Sequence, residues 1–250
     1  MIPYVTLPPL IVGSGVIQPF ALLVSLGVLV AHFLLLGRAA RQALVRGWAA
    51  ELSLTMVALG FAGSVLFKLL YRPDLLADVG CAGALRYLPG ISSFGGLFGA
   101  LGGAWLYLAW RRIRGQDRLR YLDLVGFAFP FGFAFGRLGC ALVHDHPGRR
   151  AEGWLTVAYP DGARYDLGLL ELLFLISVCG LFKWLDRHPR RPGFFLATVL
   201  LIYGPFRVAL DQLHVDPPRY GGLPVDVWAG VTVFSLGLYF WRRSQAPMPL

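Results

Sequence analysis

An all-α membrane protein, a bundle of about seven transmembrane helices, is the fold class this sequence predicts, and three observations predict it. The 250 residues are 56% hydrophobic and 15% charged, with a mean hydropathy of +0.61, whereas about a quarter of an ordinary soluble domain is charged. Apolar stretches of bilayer length, about 17 to 25 residues each, recur along the chain. Basic residues cluster in alternate connections between those stretches, the bias that places positive loops in the cytoplasm.

The stretches fall near 16–36, 51–71, 94–110, 122–143, 167–185, 194–213 and 223–241. Arg38, Arg41 and Arg46 follow the first, "RRIRGQDRLR" the third, Lys183, Arg187, Arg190 and Arg191 the fifth, and Arg242 and Arg243 the seventh. These loops are therefore expected inside, with the N-terminus periplasmic and the C-terminus cytoplasmic in a bacterial inner membrane. No Lys or Arg precedes Arg38, so the first stretch is expected to be a retained span and not a cleaved signal peptide. Even spacing predicts one polytopic domain over 1–250, and a monomer is expected. The formal charge of +9 is carried largely by the cytoplasmic loops, which argues against a nucleic-acid partner. Within the outer loop 144–166, "GWLTVAYPDGARYD" combines β-branched and aromatic residues with a Pro-Asp-Gly turn and predicts a small hairpin arm. Cys81, Cys140 and Cys179 are odd in number and lack metal-ligand spacing, so they read as small core residues without disulfides.

A charge near the bilayer centre costs about 2.5 kcal/mol or more, so each arginine within a span demands a reason. Arg137 lies about fifteen residues into the fourth stretch and Arg207 about thirteen into the sixth. At 1.5 Å per residue both sit roughly 20 Å from the cytoplasmic side. Glu171, one turn into the fifth stretch, belongs to the same layer, and Arg164 lies just before it. Asp211, four residues after Arg207, is expected to pair with it across one helical turn. Two readings stay open: a self-satisfied ion-pair network or snorkelling arginines, and a site for an anionic headgroup, since guanidinium forks suit a phosphate diester. Gly95, Gly96, Gly99, Gly102 and Gly103 on the third stretch allow either a cavity or close helix packing. Pro130 and Pro205 each precede a buried arginine and each frees a carbonyl one turn back.

These residues resemble a known family. "PFGFAFGRLGCALV" resembles the signature of bacterial prolipoprotein diacylglyceryl transferases, in which Gly-Arg-x-Gly-Asn leads to Gly-Glu. "SSFGGLFGA" resembles their His-Gly-Gly-x-x-Gly segment, "YGPFRVALD" their late Arg-x-x-x-Glu, and "ARYDLGLLE" the stretch before their fifth helix. Order and topology agree over nearly the whole chain. The resemblance implies transfer of a diacylglyceryl group from phosphatidylglycerol to the cysteine thiol of a lipoprotein precursor peptide, with release of glycerol 1-phosphate. It implies that Arg137 and Arg207 stabilise the phosphate, oriented by Asp211 and Glu171, with Arg164, Gly95, Gly96, Gly136, Gly139, Cys140 and Phe94 lining the lipid site. It implies no cofactor and no metal.

The sequence departs from the family at Phe94, where histidine is usual, at Cys140 for asparagine, at Asp145 for glutamate, and at Phe20 for tyrosine. Because Phe94 cannot accept a proton, either the family histidine is not the indispensable base, or another group replaces it here, or the chain is a phospholipid-binding relative without the reaction. His144 and His146, flanking Asp145, are the nearest substitutes as catalytic bases. His-x-His with a carboxylate also suits a metal, though a fourth ligand is missing, and an interfacial polar cap closing the helix before Pro147 is the third reading. His214 lies in another outer loop, while His32 and Lys68 read as packed or snorkelling residues.

Overall fold

The computed structural model describes residues 1–12, 15–71, 93–215 and 219–245, less the side chains at 12, 15, 16, 67, 68, 70, 71, 93, 94, 219, 220 and 225. The expectations for the side chains of Phe94 and Lys68, and for Cys81, lie outside the described residues.

Among the described residues are seven long helices, α1 Pro19–Arg41, α2 Arg46–Tyr71, α3 Ser93–Trp110, α4 Gly115–Val143, α5 Leu167–Leu185, α6 Phe194–Asp211 and α7 Val225–Gln245. Five of them are long and apolar enough to cross a bilayer: α1, α2 as far as Leu66, α4, α5 and α6. The chain is an all-α membrane protein with small β elements. α1 starts on Pro19, whose fixed φ suits a first helical position, and runs beyond the expected end at 36. Arg38 and Arg41 in its last turn complement the helix dipole. α4 likewise starts ahead of its apolar part, because "GQDRLRY" is helix-forming sequence that needs no membrane.

The short strands are β1 Leu10–Val12, β2 Gly15–Ile17, β3 Pro147–Arg150, β4 Thr156–Tyr159, β5 Gly162–Asp166, β6 Arg219–Tyr220 and β7 Leu223–Pro224. The expected hairpin is present as β4 and β5, paired from Thr156 with Tyr165 to Tyr159 with Gly162. Pro160 and Asp161 form its two-residue turn, and Gly162 takes φ +123°, open to glycine at no steric cost. β3 adds on the other side of β5. The chain start, unforeseen, docks on this arm: Ile2 donates to Thr156 O at 2.7 Å and accepts from Ala158 N at 2.9 Å. β1 and β2 form a separate antiparallel pair before α1.

The chain divides into two compact units, residues 35–121 and residues 1–34 with 122–250. In the first, α2 and α3 meet backbone to backbone. A Cβ on Gly99 would lie 2.1 Å from Leu59 O, one on Gly63 2.4 Å from Gly95 O, and one on Gly103 3.1 Å from Thr55 O. Gly95 is buried and Gly96 half-buried in this seam, so of the two glycine readings the structure realises close packing.

In the second unit, Phe127 of α4, Val178 and Phe182 of α5, and Phe195 and Val199 of α6 form an aromatic core. α6 follows Gly193, which offers no capping side chain. Buried Asp123 of α4 supplies the cap instead, accepting from Phe195 N at 2.6 Å and Leu196 N at 3.1 Å. Glycine contacts set the rotation of α6 against α7: a Cβ on Gly204 would meet Gly230 O at 2.7 Å.

Candidate functional site

Buried carboxylates, each placed by a helix start, organise the second unit. Asp166 ends β5 and caps α5, accepting from Leu169 N at 2.9 Å. One turn on, Glu171 is 1% exposed, and so buried an anion requires cations and donors around it. Its Oε1 accepts from Tyr203 OH at 2.6 Å. Its Oε2 faces Arg137 Nε of α4 at 2.9 Å and Arg207 Nη1 of α6 at 3.4 Å. Arg207 Nη2 reaches Asp226 Oδ2, in the first turn of α7, at 2.5 Å.

Two arginines thus converge on one carboxylate, but they are held differently. Arg207 has both terminal nitrogens on acids. Arg137 is paired through Nε, whose N–H is not aligned on the carboxylate as a hydrogen bond. Its guanidinium lies over the Phe133 ring at 4.8 Å. Among the described residues, the polar contact of its terminal nitrogens is Cys140 Sγ, 3.9 Å from Nη1. The forked end of Arg137 is therefore free to take an anion.

The expected pairing of Arg207 with Asp211 does not form. The rotation of α6 turns Arg207 toward Glu171 and Asp226, and Asp211 faces His214 Nδ1 at 3.5 Å. Asp226 and Tyr203, central here, were not among the sequence candidates. Asp226 carried a signal, an acid next to the start of an apolar stretch, but its partner lies on another helix, where spacing rules do not reach.

His144 is committed to structure. It closes α4 with a left-handed φ of 52°. Its Nδ1 pairs at 2.6 Å with Asp166, not with Asp145, and its Nε2 lies 3.2 Å from Val5 O. Tyr4 stacks on the ring at 4.4 Å, and Tyr159 OH donates to Asp166 at 2.9 Å. Burial, then that hydrogen bond, push the Tyr159 phenol up. Both ring nitrogens of His144 are thus engaged, the arrangement a polar cap would have.

His146 Nδ1 meets Asp145 Oδ1 at 2.5 Å. The Asp145 hydrogen bond, then one with Cys140, lift His146 to about 9 against the effect of burial. Burial pushes the Asp145 carboxyl up, but the His146 hydrogen bond and charge outweigh it and hold it below the usual range. Arg164 stands apart from the arginine cluster, bonded to Asp161 and to Gly148 O at 3.3 Å. The Arg164 hydrogen bond brings Asp161 down to about 2. A Cβ on Gly139 would lie 2.8 Å from the Phe20 ring, so this glycine makes room for that phenylalanine, while one on Gly136 would meet only Val24 at 4.0 Å.

Donor groups of the kind metals use approach within 4.8 Å of one another in two sets among the described residues, Cys140 with Asp145 and His146, and Asp211 with His214 and Asp226. In each a cation already holds an acid, His146 on Asp145 and Arg207 on Asp226.

A family model described as prolipoprotein diacylglyceryl transferase matches residues 9–243. Similar curated relatives carry the name phosphatidylglycerol--prolipoprotein diacylglyceryl transferase. The one from Chromohalobacter salexigens is 26% identical over 174 residues, 62% of this chain and 61% of that protein. The one from Idiomarina loihiensis is 26% identical over 81% of this chain and 80% of its own, and that from Dehalococcoides mccartyi 24% identical over 94% and 92%. With the family model covering almost its full length, the chain belongs to the prolipoprotein diacylglyceryl transferase family of membrane transferases.

Proposed function

We propose that this protein transfers the diacylglyceryl group of phosphatidylglycerol to the cysteine thiol of a lipoprotein precursor, releasing glycerol 1-phosphate. The observation that carries the reading is the convergence of Arg137 and Arg207 on buried Glu171, with the fork of Arg137 unspent. Displacement at the carbon bonded to a phosphate oxygen builds charge on the leaving phosphate, and fixed cations in a dry site stabilise that charge without reorganising. Glu171, tied also to Tyr203, orients both guanidinium groups. It spares the bundle two uncompensated charges while no lipid is bound.

The remaining assignments complete the proposal. In it the chain crosses a bacterial inner membrane by seven spans, as one polytopic domain acting as a monomer, and the Lys/Arg bias of alternate loops supports an outer N-terminus and an inner C-terminus. Gly136, whose added Cβ would meet only Val24 at 4.0 Å, lets the lipid approach α4. Arg164 and the arm around it guide the precursor peptide. At neutral pH His146, lifted to about 9, is charged; it favours a nearby thiolate but has no lone pair with which to take the proton.

One observation favours a second reading, in which the chain binds phospholipid without transferring it. Phe94 has no proton acceptor, and His144 has both ring nitrogens engaged. Reconstitution with phosphatidylglycerol and a lipobox peptide separates the two. Thioether product and released glycerol phosphate are expected. A wild type that retains the lipid yet forms no product, with Phe94→His restoring it, establishes the second reading.

A further inference from the structure

We infer that His214 is the proton acceptor for the lipoprotein thiol, with Asp211 as the carboxylate that orients it. This rests on the transfer reading above and names the group that acts where Phe94 cannot.

The geometry rests on two buried groups, each lacking what the other supplies. Asp211 is 3% exposed, and among the described residues neither of its carboxylate oxygens has a hydrogen-bond partner. His214 Nδ1 is likewise buried and unpartnered, and it lies 3.5 Å from Asp211 Oδ1. Leaving either group unsatisfied is costly, and a shift of about half an ångström makes Nδ1–H···Oδ1 a normal hydrogen bond. That bond fixes the tautomer in which Nε2 carries the lone pair, the arrangement by which a carboxylate prepares an imidazole to act as a base. The ring is 24% exposed as a side chain although Nδ1 is covered, so its accessible part lies away from the acid.

Placement favours this role. His214 N closes the last turn on Asp211 O at 3.0 Å, and the preceding Leu213 O accepts from Arg149 N of β3 at 2.8 Å. The imidazole is therefore pinned between α6 and the arm. His214 Nδ1 is 3.9 Å from Asp226 Oδ2, the atom that holds Arg207, so the base sits one carboxylate away from a phosphate-holding cation. Charged groups face it from α6 (Arg207 and Asp211), from α7 (Asp226) and from the arm (His146). Burial, then the charge of Arg207, hold His214 below its ordinary value, with Asp226 and Asp211 opposing and His146 adding to the depression. It is neutral at physiological pH, unlike His146, and its Nε2 is uncommitted among the described residues, unlike that of His144.

In the step, Nε2 takes the S–H proton as the sulfur electron pair forms the C–S bond to the glycerol carbon bearing the phosphate ester. The C–O bond breaks, its electrons leave on glycerol 1-phosphate, and the imidazolium hands its proton to that departing monoester.

The test uses the full chain in phosphatidylglycerol vesicles with a lipobox peptide. His214→Asn is expected to lower kcat by about 10²- to 10⁴-fold with KM for the lipid little changed, and to remove the rise of kcat/KM with pH that loss of the proton from a depressed imidazole produces on the acid side. Asp211→Asn keeps the imidazole and is expected to lose about tenfold and move that rise. A His214→Asn protein that keeps its rate within about threefold of wild type, or keeps the same acid limb, overturns the inference and leaves transfer standing. Should His214→Asn fail to retain lipid, Asp211→Asn decides, and an unmoved pH profile overturns the inference. A wild type that forms no thioether removes both readings.

Discussion

Between α2 and α3 the helices meet through Gly63, Gly95, Gly99 and Gly103, with no room for a side chain. Where α4, α5, α6 and α7 meet, the contact is made instead by Arg137, Glu171, Tyr203, Arg207 and Asp226. Both are helix contacts in a chain read as crossing a membrane, where apolar side chains gain little by leaving lipid for protein. Glycine answers with close backbone approach, which contributes packing and no chemistry. The ionised cluster is poor as a source of stability, since desolvating charges offsets most of their attraction. The two regions therefore hold their helices together by different means, and the proposed transfer draws on the charged one.

The largest expected effect breaks the glycine side. Gly99→Leu places its Cβ 2.1 Å from Leu59 O and 2.9 Å from Leu59 C, backbone atoms that cannot swing aside. Overpacking costs about 1–3 kcal/mol where side chains yield and more where they do not, so folded protein is expected to be lost, measured as monodisperse yield in detergent. Gly102→Ala, with nothing within 4 Å of the added Cβ, is the control and is expected to keep full yield. Equal yield from both variants would show that the seam tolerates side chains.

Next in size comes the charged side. Arg137→Ala leaves Glu171 with Tyr203 and Arg207, so the fold is expected to persist with a melting temperature within a few degrees of wild type. Transfer is expected to fall at least about 10²-fold, the scale of one lost charge-stabilising donor. A variant with normal turnover would place Arg137 with the glycines, as a residue of structure alone.

The same contrast explains what could be read in the sequence. Arg137, Arg207 and Glu171 were legible because charge inside an apolar stretch is rare and helical rise converts position into depth. α5 coincides with the expected 167–185 because Asp166, standing before the apolar run, is a cap. The β4–β5 hairpin was legible in its Pro-Asp-Gly turn. Asp226 was not, because the choice between it and Asp211 depends on how α6 is turned against α7, which the contact of Gly204 with Gly230 sets. The docking of Ile2 and Tyr4 on the arm was not legible either, since segments this short carry no periodicity. His144 and His146 looked equivalent beside Asp145. Only the fold gives one of them Asp166 and leaves the other at the surface.

The smallest expected effect sharpens that last distinction. Asp145, and after it Cys140, lift His146 from 6.5 to about 9, so the folded state binds the imidazolium proton more tightly than the unfolded chain does. The sign follows from linkage: the stabilisation is complete below about pH 6.5 and is lost as the pH rises through about 9. The side chains are 37% and 43% exposed, so solvent screens the pair and its worth is small. His146→Gln is expected to lower the melting temperature by at most about 2 °C near pH 6 and to match wild type near pH 10. A difference that stays constant across this range would mean that His146 contributes through packing and not through its charge.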